Sequence, residues 1–344
     1  MVNVADTLDI FLITYNRSAA LDRTLAQILS PKSPIRDFEI KIIDNNSTDN
    51  TREIVEKYQS EFSNLKYEKN KYNIGGNANI VKAFYNATKD YVWVLADNDN
   101  YSWKNWKQVE QEISNKAEAI VVSTYECPKL NIAQLFIQTT FVPGVIYKTS
   151  NIDDTVLVNM EFNISNMFPH LALSSKIINE KKEFAILDNP IVLIGRNEDE
   201  KGEYVYTRGY EGYVHPLQNG MNWISGYANS LHLIKDNKIR NYIISHNRFC
   251  TELNSAKLFF WKPTEAKRNL YDYLCVFAVL SPLDKLKFLM NVFLYFTLYR
   301  IIFISRKDIF KYEDKLHIIQ YDLRLFYFIK TKLFRVTRNI EGDC

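Results

Sequence analysis

Two carboxylates one residue apart, Asp97 and Asp99, close the apolar run Tyr91-Val92-Trp93-Val94-Leu95-Ala96. Alternate residues of an extended chain point the same way, so both carboxylates can face one site. Hard oxygen ligands held like this suit Mg2+ or Mn2+ bound together with substrate phosphates. An Asp-x-Asp is also an ordinary turn composition. Three upstream clusters bear on the choice: Thr14-Tyr15-Asn16-Arg17, the loop from Asp44 through Asn46 to Asp49, and Asn73-Ile74-Gly75-Gly76-Asn77.

The elements around these clusters alternate. Residues 8–13 read as a strand, and Leu21, Leu25, Ile28 and Leu29 fall on one helical face after a plausible cap at Ser18. Residues 38–43 are a second strand, and Ser47, Asp49 or Thr51 could cap the helix that follows. Residues 65–68 are a short third strand, and a helix containing Ile80, Val81 and Phe84 opens after Gly76. The run from Tyr91 is too short for a buried helix and reads as a central strand. This order predicts an α/β fold with a mostly parallel sheet flanked by helices. Ligands of such sheets bind at the carboxyl ends of the strands, where all four polar clusters fall. Gly75-Gly76 fits neither the spaced-glycine dinucleotide fingerprint nor a Walker loop with its lysine.

The motifs ending in Arg17, Asp49, Asn77 and Asp99 resemble, in order and spacing, the family 2 glycosyltransferases with the GT-A fold. The resemblance covers roughly residues 7–200. Within the family the chain looks most similar to transferases that build bacterial surface polysaccharides, including the abequosyltransferase-like group. It implies an inverting transferase using a nucleotide-sugar donor, UDP-linked by default, with Mn2+ or Mg2+ as cofactor. By the family pattern Thr14 and Tyr15 line the base pocket, Asp44 hydrogen-bonds the base, and Asn73, Gly76 and Asn77 shape the neighbouring wall. Asn16, Arg17, Asn46 and Asn98 join the donor-binding set. Asp97 contacts ribose or donor sugar, and Asp99 ligates the metal. Where the family carries a carboxylate base at a helix start, this chain has Pro169-His170-Leu171-Ala172-Leu173, which makes His170 the expected base. Glu161, Asp153 and Asp154 are the alternatives. Gly144 is expected to let the backbone approach a sugar, and Trp103 and Trp106 are expected to pack. Residues 185–196 look like a late strand pair. Rival readings are a nucleotidyltransferase on a similar scaffold and a non-catalytic sugar- or nucleotide-binding module.

The chain has 344 residues, 47% hydrophobic and 24% charged, which is a globular composition. Four widely spaced cysteines show neither metal-ligand spacing nor a disulfide framework. No basic-then-apolar leader precedes the first strand, so a cytoplasmic location is expected. The net charge of +3 is uneven: residues 257–344 hold 16 Lys/Arg against 9 Asp/Glu, a net +7, leaving −4 elsewhere. The expected division is a transferase domain over residues 1–225 and a helical, basic and aromatic region over 226–344. The apolar run at 288–304 is short for a membrane span. Flanked by Lys285, Lys287, Arg306 and Lys307, it predicts a peripheral contact with the inner face of the membrane and a lipid-linked glycan acceptor. A homodimer interface is the other use of such faces. No nucleic-acid-binding motif appears.

Overall fold

The computed structural model describes residues 3–123, 130–164, 167–193, 223–246 and 277–280, with isolated positions up to 289. A short helix α1 (Val4–Thr7) leads into β1 (Leu8–Thr14), α2 (Ser18–Ile28), β2 (Ile40–Asp44) and α3 (Thr51–Gln59). Next come β3 (Leu65–Lys69), α4 (Gly76–Tyr85), β4 (Tyr91–Ala96), β5 (Asn100–Tyr101) and α5 (Trp106–Ser114). The chain continues through β6 (Ala119–Val121), α6 (Ile132–Gln138), β7 (Val145–Lys148), α7 (Asp154–Phe162) and α8 (Leu171–Asn179). The last described elements are β8 (Phe184–Ile186), β9 (Val192–Leu193), α9 (Trp223–Ser230) and α10 (Asn237–His246).

Seven strands form one sheet in the order β3-β2-β1-β4-β7-β6-β8. Only β7 runs against its neighbours β4 and β6. The order runs outward from β1 to β3 on one side and resumes at β4 on the other, so the strand order reverses between β1 and β4. In an open sheet that reversal opens a crevice at the carboxyl ends.

The two-residue period of a strand sorts the core into two faces. Leu8, Ile10, Leu12, Ile40, Ile42, Tyr91, Trp93 and Leu95 pack with Leu21, Leu25 and Ile28 of α2, Val55 of α3, and Trp106, Val109 and Ile113 of α5. Phe11, Ile43, Val92, Val94, Val145 and Tyr147 face the other way, onto Ile80, Val81 and Phe84 of α4, Val156 and Met160 of α7, and Leu173 and Ile177 of α8. Burial of each such aliphatic or aromatic side chain contributes roughly 1.5–3 kcal/mol. Trp106 stacks on Trp93 at 6.2 Å and meets Phe38 edge-on at 5.9 Å; Trp103 stacks on Tyr101 at 5.3 Å. Both tryptophans therefore pack, as expected.

Three expectations need correction. Residues 185–193 do not pair with each other, and 194–196 lie outside the described residues: β8 joins the main sheet beside β6, and β9 pairs with β5 in a separate two-stranded sheet. The space at Gly144 belongs to the fold and not to a sugar. A Cβ there would lie 2.2 Å from Ser123 Oγ and 2.9 Å from the Phe141 ring. A division at residue 225 cuts through a packed region. Tyr227 of α9 meets Phe136 of α6 at 5.5 Å, and Asn179 at the end of α8 bonds the Leu233 carbonyl and the Lys235 amide. The chain divides into compact units Met1–Lys285 and Leu286–Cys344. The apolar run at 288–304 lies outside the described residues but for Leu289, and among the described residues no helix is long and apolar enough to cross a membrane.

Candidate active site

The strand register puts Asp44 directly beside Thr14, and the pair Ile13 with Ala96 brings Thr14 level with Asp97. Three consecutive strand ends, β2, β1 and β4, thus present Asp44, Thr14 and Asp97 in one row across the reversal point. The Thr14 hydroxyl donates to Asp97 Oδ2 at 2.7 Å, and Arg17 Nη1 donates to Oδ1 at 3.1 Å. Thr24 of α2 donates to the Asp97 peptide carbonyl at 2.9 Å. Burial pushes the Asp97 carboxyl up from its ordinary range, against the pull of the Arg17 guanidinium and the Thr14 hydroxyl. Asp99 is buried two residues on, with its carbonyl 3.4 Å from Gln27 Nε2. Tyr101 lies close behind, its hydroxyl held far above the ordinary phenol range by burial and by Asp99 and Asp97.

Asp44 is fully buried and already engaged. Its Oδ1 accepts from the Ser47 amide at 2.8 Å and the Ser47 hydroxyl at 2.6 Å, and its Oδ2 accepts from the Tyr67 hydroxyl at 2.6 Å. Burial and the neighbouring carboxylate raise the Tyr67 phenol, so it stays protonated and donates. Tyr15 is half-buried at the rim of the row, and Asn98 is half-buried between the two carboxylates.

The loops are braced to each other by their own polar side chains. Asn16 and Asn46 both adopt the left-handed backbone, with φ of 49° and 68°, which asparagine tolerates. Asn16 Oδ1 accepts from the Thr48 amide at 2.7 Å, and its own amide donates to Ser47 Oγ at 2.9 Å. Asn16 is therefore a tie between the β1 and β2 loops. Arg17, not Ser18, stands at the N-cap of α2, and neither it nor Asn50 at the start of α3 caps its helix through its side chain. Asp49 serves both helices, taking the Ser18 amide on Oδ2 at 2.8 Å and the Thr51 hydroxyl on Oδ1 at 2.6 Å.

Asn73 and Gly76 stand on the β3–α4 loop, and Asn45 holds that loop. Asn45 Nδ2 donates to Asn73 Oδ1 at 2.8 Å, and its Oδ1 takes the Ile74 amide at 2.9 Å and Asn70 Nδ2 at 3.1 Å. Asn70 in turn donates to Asn79 at 2.9 Å, and Asn79 donates to the Ile43 carbonyl at 3.1 Å. Asn77 donates to the Ile164 carbonyl at 2.8 Å, tying α4 to the segment after α7. Asn45, Asn70 and Asn79 were not singled out from the sequence. The available signal was two asparagines, Asn77 and Asn79, opening an otherwise apolar helix.

His170 precedes α8 with a 1% exposed side chain. Its Nε2 lies 3.0 Å and 3.2 Å from the carbonyls of Thr139 and Thr140, so the proton sits on Nε2 and Nδ1 carries the lone pair. Nδ1 is buried without a hydrogen-bond partner. Burial pushes the imidazole down to about 4, opposed by those carbonyls. The residues it braces lead into Pro143, whose carbonyl accepts from Trp93 Nε1 at 2.8 Å. A general base must reach the proton that it takes. In this conformation the ring is closed to solvent and braces the 139–140 segment. Asp153 and Asp154 follow β7, whose last residue Lys148 lies beside Tyr91 at the opposite edge of the sheet. Asp153 is ion-paired with Lys176 at 2.6 Å.

A parallel sheet that reverses its order beside β1, with two carboxylates just past β4, is the GT-A class of fold. The S. aureus TarS 1-349 structure in complex with UDP is 17% identical, covers 84% of this chain and 89% of that one, and superposes with a TM-score of 0.54. Residues 9–171 match the family described as glycosyl transferase family 2. Among curated relatives, abequosyltransferase RfbV of Salmonella typhimurium is 24% identical over 53% of this chain and 55% of its own length. An uncharacterized glycosyltransferase, the MG060 homolog of Mycoplasma pneumoniae, is 30% identical over 34% of this chain and 40% of its own length. The matches thus span about half or less of those relatives.

Proposed function

We propose that this chain moves a sugar, with inversion, from a nucleotide-sugar donor to a glycan acceptor carried on a lipid. The observation that carries the reading is the row of Asp44, Thr14 and Asp97 across the strand-order reversal, with Asp99 just beyond it. UDP, the nucleotide of the TarS complex, is the default donor nucleotide.

Among the described residues no group of three or more His, Cys, Asp or Glu side chains could hold a metal alone. Asp97 is held at both oxygens by Thr14 and Arg17, and Asp99 is the carboxylate that would hold a cation. One carboxylate fits a hard divalent cation whose other ligands are diphosphate oxygens and water. Mn2+ or Mg2+ there would supply the positive charge that stabilises a departing nucleoside diphosphate. Tyr15 offers the base an aromatic face at the rim, and the asparagine-braced loop through Asn73 and Gly76 forms the adjoining wall. His170 occupies the position of the family's base; burial keeps it neutral, as a proton acceptor must be. The basic and aromatic composition of residues 226–344 supports a lipid-borne acceptor and contact with the inner face of the membrane.

The test is thermal stability against UDP, GDP, dTDP and CDP, each with and without Mn2+, for wild type and Asp99→Ala. A ligand that binds the folded state alone raises the melting temperature. The expected result is a rise with one nucleotide that grows with Mn2+ and loses that growth in Asp99→Ala. No rise with any nucleotide, in folded protein, overturns the reading in favour of a module that binds something else. For His170, near-full turnover of His170→Ala at saturating donor and acceptor removes it from the chemistry.

A further inference from the structure

We infer that Arg17 is a built-in counter-charge for the donor diphosphate and that Asp97 is the residue that positions it. A nucleoside diphosphate then binds this site before, and without, a divalent cation. The inference rests on the reading above and assigns the part of the donor that Arg17 meets.

The backbone puts Arg17 in the crevice. β1 ends at Thr14, Asn16 turns the chain through its left-handed conformation, and Arg17 follows directly before α2. From there the side chain spans from β1 to the end of β4, so its guanidinium lies across the reversal point where ligands of such sheets bind. The two partners differ sharply in exposure. The Asp97 side chain is 3% exposed and the Arg17 side chain 31%. Asp97 accepts from Thr14 and Arg17 on its two carboxylate oxygens and from Thr24 on its carbonyl. It is a buried anchor with both carboxylate oxygens held by protein donors. Arg17 is the opposite: among the described residues Asp97 is its side chain's one hydrogen-bond and ion-pair partner. A guanidinium has five N–H donors in a planar fork. One is used on Asp97, and those left open toward the solvent side match the paired oxygens of a phosphate.

Charge makes the same demand. Asp44, Asp97 and Asp99 crowd one sheet edge, and a diphosphate brought there meets like charge. Among the described residues Arg17 is the basic side chain paired with any of these three carboxylates. It cancels Asp97 and turns the open side of the pair positive. Lys69, at the end of β3, donates to the Ser47 carbonyl on the β2 side. A role as a mere structural ion pair would leave phosphate recognition untouched, which separates the two readings.

Calorimetric titration decides it, with UDP, GDP, dTDP and CDP and the four parent nucleosides as probes, each in EDTA and in Mn2+. The expected result is that one nucleoside diphosphate binds wild type in EDTA and binds Arg17→Ala about 10-fold or more weakly, as the loss of a charge-assisted hydrogen bond predicts. Its parent nucleoside should bind both proteins alike, and Arg17→Lys should recover part of the loss. Arg17→Gln removes the charge while keeping a donor for buried Asp97, so the test survives if Arg17→Ala does not fold. Binding only in Mn2+, or equal binding of wild type and Arg17→Gln in EDTA, overturns the inference and leaves the transferase reading in place. No binding of any nucleoside diphosphate in either condition overturns both.

Discussion

The Thr14 hydroxyl reaches Asp97 Oδ2 at 2.7 Å, one step beyond the last backbone pair of β1 and β4, Ile13 with Ala96. The sheet ladder ends there and a side-chain bond continues it. That bond holds the first carboxylate of the Asp-x-Asp in line with Asp44 and gives Arg17 a fixed point to lean on.

Thr14→Val removes the hydroxyl at nearly constant volume and leaves a buried carboxylate short of a donor. Such a loss costs about 1–3 kcal/mol. Urea unfolding should show a lower midpoint at unchanged slope, and nucleotide-induced stabilisation should weaken alongside it.

Asp49→Ala should destabilise by about 1–2 kcal/mol, because one carboxylate caps both α2 and α3. Burial alone would raise this carboxyl, but the donors on Thr51 and Ser18 outweigh it and hold it below its ordinary 3.8. The folded state therefore binds the proton less readily than the unfolded chain. The stabilisation is present above 3.8 and fades as pH falls through the lower folded value. Acid titration of the variant, followed by circular dichroism, should lack that part of the wild-type loss.

His170 gives a pH dependence in a separate window. Its imidazole is at about 4 when folded and 6.5 when free, so between those values the unfolded chain holds more protons. Stability should rise with pH from about 4 to about 6.5 and then level off. His170→Gln should flatten that rise, read as the difference between the two proteins in urea midpoints from pH 4.5 to 7.5. An unchanged slope would place the ring in solvent.

Gly144→Ala drives a methyl to 2.2 Å from Ser123 Oγ. Overpacking of this kind costs roughly 1–3 kcal/mol. Adding Ser123→Ala should recover part of the lost melting temperature, since it removes the nearest atom while the Phe141 ring at 2.9 Å stays.

The strands were legible because their residues alternate between two buried faces or end in polar loops. Leu8 to Leu12 and Tyr91 to Leu95 carry that period in full. Helix caps were less legible. Ser18 has the right residue type, yet the cap comes from Asp49, which is distant in sequence and adjacent only once β1 and β2 pair. Gly144 was read as room for a sugar because a glycine's emptiness does not say what fills it. His170 has the spacing of a base, and spacing carries no information about burial.

Sequence by itself determined the order of strands and helices, the gathering of four polar clusters at one sheet edge, and the family that residues 9–171 match. These follow from local rules: period, turn chemistry, and the carboxyl-end location of loops in parallel sheets. Tertiary structure alone decided what each polar residue does there. Asp97 is an anchor for Arg17, Asp44 is saturated by Ser47 and Tyr67, and Asn45 holds the wall through Asn73. Apart from the local Ser47, the donors in these pairings arrive from 23 to 83 residues away, and burial then makes each pairing obligatory.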